Sequence, residues 1–261
     1  MTKKVILLDL EGTLYTREGL IEGALELINS LKKKYIVRFI TNSDSKSQLS
    51  IYLHLKKLGF NIKSEEIYTP SRIINTYFLN KIKLAFFLTS KEIKEEFKQK
   101  GQIVEKYNAD ICPTHVVMGD LKEVFDYNSI NTAFRYLDKG AKLILLQEGL
   151  YYLSDNEKNI DTGSFANIFP KKVQDERILI GKPSSILISA IMDELNIKDK
   201  KDFLIVGDDI FSDILMGNNL GIDTALVKTG KYNLQKGLST SIKPNYLLES
   251  VKYLSEILEE I

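Results

Sequence analysis

Four short clusters hold the side chains that could do chemistry. The first is Asp9-Leu10-Glu11-Gly12-Thr13-Leu14, directly after the apolar run at residues 5–8. A carboxylate at the C-terminal end of a parallel strand stands where open α/β sheets bind ligands. Gly12 and Thr13 permit a tight turn whose free N–H groups can hold a phosphate. A lone Asp in that position also serves as an ordinary turn or helix cap. The second cluster, Thr41-Asn42-Ser43, follows the run at residues 36–40. Its hydroxyl and following amides suit a phosphoryl oxygen, and equally the N-cap of a helix. The third is Gly181-Lys182-Pro183, after residues 178–180. An ammonium there would offset the charge of a carboxylate nucleophile and of an incoming phosphate. The fourth is Gly207-Asp208-Asp209-Ile210-Phe211-Ser212-Asp213, after residues 203–206. Several carboxylates at a strand end make a hard-oxygen site, suited to Mg²⁺ and unsuited to zinc. One of the three is expected to compensate a helix N-terminus as well.

Elements of alternating type must position these clusters. Residues 5–8 and 36–40 read as strands. Between them Ile21, Ala24, Leu25, Ile28 and Leu31 recur at helical spacing, with Lys32, Lys33 and Lys34 at the C-terminal end. Leu49, Tyr52, Leu53 and Lys56 mark a second helix that Gly59 can close. The same grammar returns at residues 178–180, a helix through Ile186, Leu187, Ala190, Ile191 and Leu195, the run 203–206, a helix near 212–216, the run 225–227, and a last helix through Leu247, Val251, Leu254 and Leu258. Strand and helix in alternation predict a doubly wound parallel α/β sheet. The middle of the chain has apolar runs of its own at 84–88, 116–118 and 143–146. Helices there are expected on Ile93 and Phe97, and on Ile130, Ala133, Phe134 and Leu137. It reads as a second α/β domain, residues 71–177, inserted into a core of residues 1–70 and 178–261. One long continuous α/β domain is the alternative.

The chain has 261 residues, with 36 Lys+Arg against 35 Asp+Glu and a formal net charge of +1. That balance gives no electrostatic reason to expect nucleic acid or an anionic membrane. The single cysteine, Cys112, excludes a disulfide framework and a multi-cysteine zinc site, and reads as a buried small apolar group. No apolar run reaches the ~18 residues of a membrane helix. The start of the chain lacks the apolar stretch of a signal peptide, so a cytoplasmic location is expected.

The order D-x-x-G-T-L, T-N, G-K-P and G-D-D-x-x-x-D resembles the haloacid dehalogenase superfamily of phosphotransferases. Residues 207–231, GDDIFSDILMGNNLGIDTALVKTGK, are similar to a stretch of the p-nitrophenyl-phosphatase-like branch, subfamily IIA. The resemblance implies a Rossmann-like core with an inserted α/β cap. It also implies Mg²⁺-dependent hydrolysis of small phosphate monoesters. That branch includes phosphatases of sugar phosphates, phosphoglycolate, pyridoxal phosphate and phospholysine or pyrophosphate. By position, Asp9 would be the nucleophile that forms an aspartyl-phosphate. The Asp9 carboxylate, the Glu11 backbone carbonyl and Asp208 would hold Mg²⁺. Thr41 and the Asn42 amide would bind the phosphoryl group, and Lys182 would pair with Asp9 and the phosphate. Asp213 would orient water at the metal, with Asp209 nearby. The partner implied is a small phosphorylated metabolite, with no nucleic acid and no membrane, and the reading leaves room for a homodimer.

Two positions depart from the family. Glu11 stands where Asp is usual, as the acid that protonates the leaving oxygen and then deprotonates water. Glu keeps that chemistry but adds a methylene, and a misplacement near 1 Å can cost ~10²-fold in rate. In the middle domain Leu146-Gln147-Glu148-Gly149 replaces the branch's T/A-N-x-D, so substrate preference is not carried over. The alternatives are therefore a phosphotransferase, or a phosphate-ligand binder with weak catalysis. A dehalogenase would have no use for the Asp208, Asp209 and Asp213 group. His54 and His115 read as structural or surface groups. Tyr151 and Tyr152 are expected in a loop spanning 147–163, and 161–164 as either a substrate-facing turn or a helix start.

Overall fold

The computed structural model describes residues 3–78, 82–98, 103–154, 157–238 and 240–259. The chain divides into two compact units. One comprises Met1–Thr41, Leu49–Tyr68 and Lys182–Ile261, the other Asn42–Gln48 and Thr69–Gly181.

The first unit is built on a six-stranded parallel sheet. Its spatial order is Tyr246–Leu248, Asp223–Val227, Phe203–Gly207, Val5–Asp9, Ile36–Ile40, Ile67–Tyr68. The sheet is wound in both directions from Val5–Asp9, which pairs with Ile36–Ile40 on one side and Phe203–Gly207 on the other. All five residues of Val5–Asp9 and of Phe203–Gly207 are buried, as expected of central parallel strands. Leu8 lies opposite Val206, so Asp9, which ends its strand, and Asp208, which follows Phe203–Gly207, emerge at the same sheet end. This is the point where strand order reverses, the usual ligand crevice of such sheets. Ile6, Leu8, Leu204 and Val206 join Ala24, Leu27, Ile28 and Leu31 of the first helix in one core.

The second unit has a five-stranded parallel sheet of its own. The order is Ile178–Leu179, Lys142–Leu145, His115–Met118, Ala85–Leu88, Ile103–Val104. Phe86, Leu88, Val116, Met118, Leu143 and Leu145 pack under Ala133, Tyr136 and Leu137 of the Tyr127–Asp138 helix.

Several expectations are corrected here. Residues 178–180 belong with the second sheet: Ile178 and Leu179 pair with Ile144 and Leu145. The helix Gln48–Lys57 buries Ile51 and Leu55, while Leu49 and Leu53 face out. Leu247 lies in a strand, not in the last helix. Phe134 is on the outer side of its helix, and Cys112 is exposed. Tyr151 and Tyr152 lie in an antiparallel hairpin, Tyr151–Ser154 with Glu157–Ile160, rather than in a loop. Asp161 caps the short helix Thr162–Ala166, which makes 161–164 a helix start. No helix among the described residues is long and apolar enough to cross a membrane.

Candidate active site

Four charged side chains of the first unit meet: Asp9 and Asp208 at strand ends, Asp213 on the helical turn Ile210–Ile214, and Lys182. Asp9 ends its strand with 6% exposure, and Lys182 is 3% exposed. Lys182 Nζ donates to Asp9 Oδ1 at 2.5 Å and to Asp213 Oδ1 at 2.7 Å. Thr13 Oγ1 makes a longer bond, 3.3 Å, to Asp9 Oδ2. Carboxylate oxygens of Asp9, Asp208 and Asp213 lie within 4.8 Å of one another, and all three residues are buried.

Such a cluster carries electrostatic tension. Burial pushes the Asp208 carboxyl well above the ordinary carboxylate range, and Asp9 and Asp213 push it further. Burial likewise raises Asp213, to about 7, against the opposing pull of Lys182. Burial alone would lower the Lys182 ammonium, but Asp213 and Asp9 together hold it above its usual value. Asp209 behaves differently. Burial would raise it, yet Lys231 and hydrogen bonds from Gln235 and the Phe211 amide hold it below the usual range.

Backbone shape fixes Asp208 closely. Its Oδ2 accepts from the Lys231 amide at 2.7 Å. A Cβ on Gly12 would fall 2.3 Å from that oxygen and one on Gly230 would fall 2.0 Å from it. Both glycines also have positive φ, +91° and +56°. Asp208 is thus clasped between two backbones that only glycine can form. Thr229 Oγ1 ties the two together by donating to the Gly12 carbonyl at 2.5 Å.

Thr41 is buried in the first unit, its amide bonded to the Tyr68 carbonyl at 3.1 Å. Asn42 falls in the second unit. Glu11 is exposed, on a turn pinned by the Gly12 amide bonding to the Tyr15 carbonyl at 2.7 Å. His54 stacks edge-on against Tyr15 at 5.1 Å, and His115 bonds Thr114 at a strand start. Sequence reasoning gave no role to Thr229, Lys231 or Gln235, and it gave Thr13 a place in the turn without its hydroxyl bond to Asp9. The Thr-Gly-Lys after a buried strand was the available signal. In the second unit it also passed over Asp44, which accepts from Thr162 Oγ1 at 2.6 Å.

Residues 6–102 match a family described as haloacid dehalogenase-like hydrolase, and residues 179–254 one described as HAD-hydrolase-like. The chain is 30% identical over 230 residues to haloacid dehalogenase-like hydrolase domain-containing protein 2 of Mus musculus, covering 88% of this chain and 85% of that protein. The chain belongs to the haloacid dehalogenase-like hydrolase family. This hydrolase is also 29% identical, over 88% of its length and 84% of the relative's, to the phospholysine phosphohistidine inorganic pyrophosphate phosphatase of Xenopus laevis. The fold of the hydrolase is that of the 4-nitrophenylphosphatase of Thermotoga maritima, with a TM-score of 0.83 at 24% identity over 97% of both chains.

Proposed function

We propose that this hydrolase is a Mg²⁺-dependent phosphatase of small phosphate monoesters that works through an aspartyl-phosphate on Asp9. The observation that carries this is the Asp9 carboxylate at a strand end, buried, with an ammonium 2.5 Å from one oxygen and two further carboxylates beside it. The family supports hydrolysis, and the names of the two relatives that act on phosphates support the substrate class.

The donor set fits the metal. Every side-chain donor in the cluster is a hard carboxylate oxygen. Asp213 has both oxygens engaged, by Lys182 Nζ and by the Asp209 amide at 3.3 Å. Asp208 has Oδ2 taken by the Lys231 amide, which leaves Oδ1 as its donor. Asp9, Asp208 and the Glu11 carbonyl would hold Mg²⁺, the ligand set that the family resemblance implies, with Asp213 steadying Lys182. When bound, the ion would offset negative charge on the phosphoryl group.

The chain's own residues then supply the reaction. Lys182 and the hydroxyl of Thr13 fix the Asp9 carboxylate so that an oxygen can attack phosphorus in line. Thr41 and the Asn42 amide would hold equatorial oxygens, where charge sits in the transition state. Glu11, in its acid form, gives its proton to the departing alkoxide as the P–O bond breaks. The resulting Glu11 carboxylate takes a proton from water, which attacks phosphorus and releases phosphate and Asp9.

The test is hydrolysis of p-nitrophenyl phosphate and of an alkyl phosphate, each with Mg²⁺ and with EDTA. Phosphate release that needs Mg²⁺ is expected. Full activity in EDTA would overturn the metal assignment. Tight phosphate binding without turnover would favour the binder that Glu11 suggests, and transfer to an added alcohol in preference to water would favour a phosphotransferase.

A further inference from the structure

The fourth carboxylate at this strand end has no part in the chemistry above. Asp209 follows Asp208 directly and is 9% exposed, yet it does not join the cluster of Asp9, Asp208 and Asp213. Its Oδ2 accepts from Lys231 Nζ at 2.9 Å, and its Oδ1 accepts from Gln235 Nε2 and the Phe211 amide, each at 2.9 Å. Gln235 is 2% exposed and is itself fixed by the Ile210 amide, which donates to its Oε1 at 2.8 Å. Asp209 is thus drawn toward the helix Tyr232–Gln235 by two donors, Lys231 and Gln235, while the Phe211 amide holds its other side locally.

Lys231 makes two contacts at once. Its amide holds Asp208 Oδ2 and its ammonium holds Asp209. One residue therefore sets the orientation of a carboxylate inside the cluster and the orientation of one outside it. The charge count depends on it as well. Asp9, Asp208, Asp209 and Asp213 face two ammonium groups, Lys182 and Lys231. Without Lys231 the neighbourhood gains one unit of negative charge, and Asp209 loses the only ammonium bonded to it among the described residues.

We infer that Lys231 is a positioning residue for the metal site: it holds Asp209 out of the carboxylate cluster and so sets the cluster's charge and its affinity for a divalent cation. This rests on the metal reading under Proposed function. The Lys231 amide stays whatever the side chain, so substitutions isolate the ammonium.

The test is calorimetric titration of the full chain with MgCl₂ for four proteins: wild type, Lys231→Met, Asp209→Asn and the double variant. Lys231→Met should bind Mg²⁺ about tenfold more tightly, the scale expected when a unit negative charge is left beside a divalent ion in a high-dielectric setting. Asp209→Asn, which keeps shape and removes one negative charge, should bind about tenfold more weakly. The double variant should return close to wild type, because the two changes share one interaction. A merely structural role would weaken binding in every variant. Wild-type binding with equal or weaker affinity in Lys231→Met, or no reversal in the double variant, would overturn the inference alone. Should Lys231→Met fail to fold, unchanged or tighter binding in Asp209→Asn would overturn it. No Mg²⁺ binding by wild type would overturn the metal reading and the inference with it.

Discussion

The Lys182 ammonium lies 2.5 Å from the Asp9 carboxylate, and both side chains are at least nine-tenths sealed from solvent. The same ammonium reaches Asp213 at 2.7 Å. Removing it would strand two buried carboxylates, and breaking a buried pair from one side costs about 3–5 kcal/mol. Lys182→Met should therefore lower unfolding stability by that amount in urea titrations and abolish turnover. Added Mg²⁺ should restore part of the stability, since a cation that binds only the folded state stabilises it. A variant as stable as wild type would mean that Lys182 does not hold these carboxylates together.

Glu11, unlike the buried Asp9, is exposed, as the proposed acid that reaches a leaving oxygen would be. Its turn is held by backbone bonds, so Glu11→Ala should leave the backbone in place. Turnover of an alkyl phosphate should fall by about 10²–10⁴-fold, the range that acid/base assistance supplies. The loss should be smaller for p-nitrophenyl phosphate, whose leaving group hardly needs a proton. Glu11→Asp then separates two cases: a faster enzyme means Glu is a poor substitute, a slower one that the pocket is built for the longer acid. Unchanged rates in both variants with both substrates would remove Glu11 from the mechanism.

Asp44 should give the second unit a pH dependence. Burial pushes its carboxyl up to about 7, and Asp161 and Asp120 push in the same direction, against the bond from Thr162. The ordinary value is about 3.9, so between roughly pH 4 and 7 the folded state binds the extra proton. Ionising Asp44 therefore costs folded-state stability, and its contribution declines as pH rises through that window. Asp44→Asn keeps an acceptor for Thr162 and cannot ionise. The Tm difference, variant minus wild type, should grow from pH 5 to pH 8. A difference constant over that range would mean that Asp44 does not titrate there.

Much of the catalytic core was legible because its strands are buried on both faces. Residues 5–8 and 203–206 are unbroken apolar runs, the first followed at once by Asp9 and the second by Gly207 and then Asp208. Residues 178–180 were not assignable in the same way. A short apolar run reads alike in either sheet, and pairing with Lys142–Leu145 depends on residues far away in sequence. The helix Gln48–Lys57 has weak periodicity, so the sequence pointed to Leu49, Tyr52 and Leu53 and missed Ile51 and Leu55, which the fold buries. The clasp around Asp208 was hidden for another reason. Gly12 and Gly230 are 218 residues apart, and only the fold reveals that both crowd one oxygen. Lys231 and Gln235 had no sequence role because Asp209, which accepts from both, lies 22 and 26 residues before them.

The central claim is that Asp9 carries the phosphoryl group during turnover. Wild-type enzyme should be mixed with substrate and Mg²⁺, quenched within a single turnover, and treated with borohydride, which reduces an acyl phosphate. Peptide mass spectrometry should then find homoserine at position 9, and Asp9→Asn should show neither the product nor turnover. Steady phosphate release with Asp9 unmodified, or the reduced residue at another position, would contradict the account.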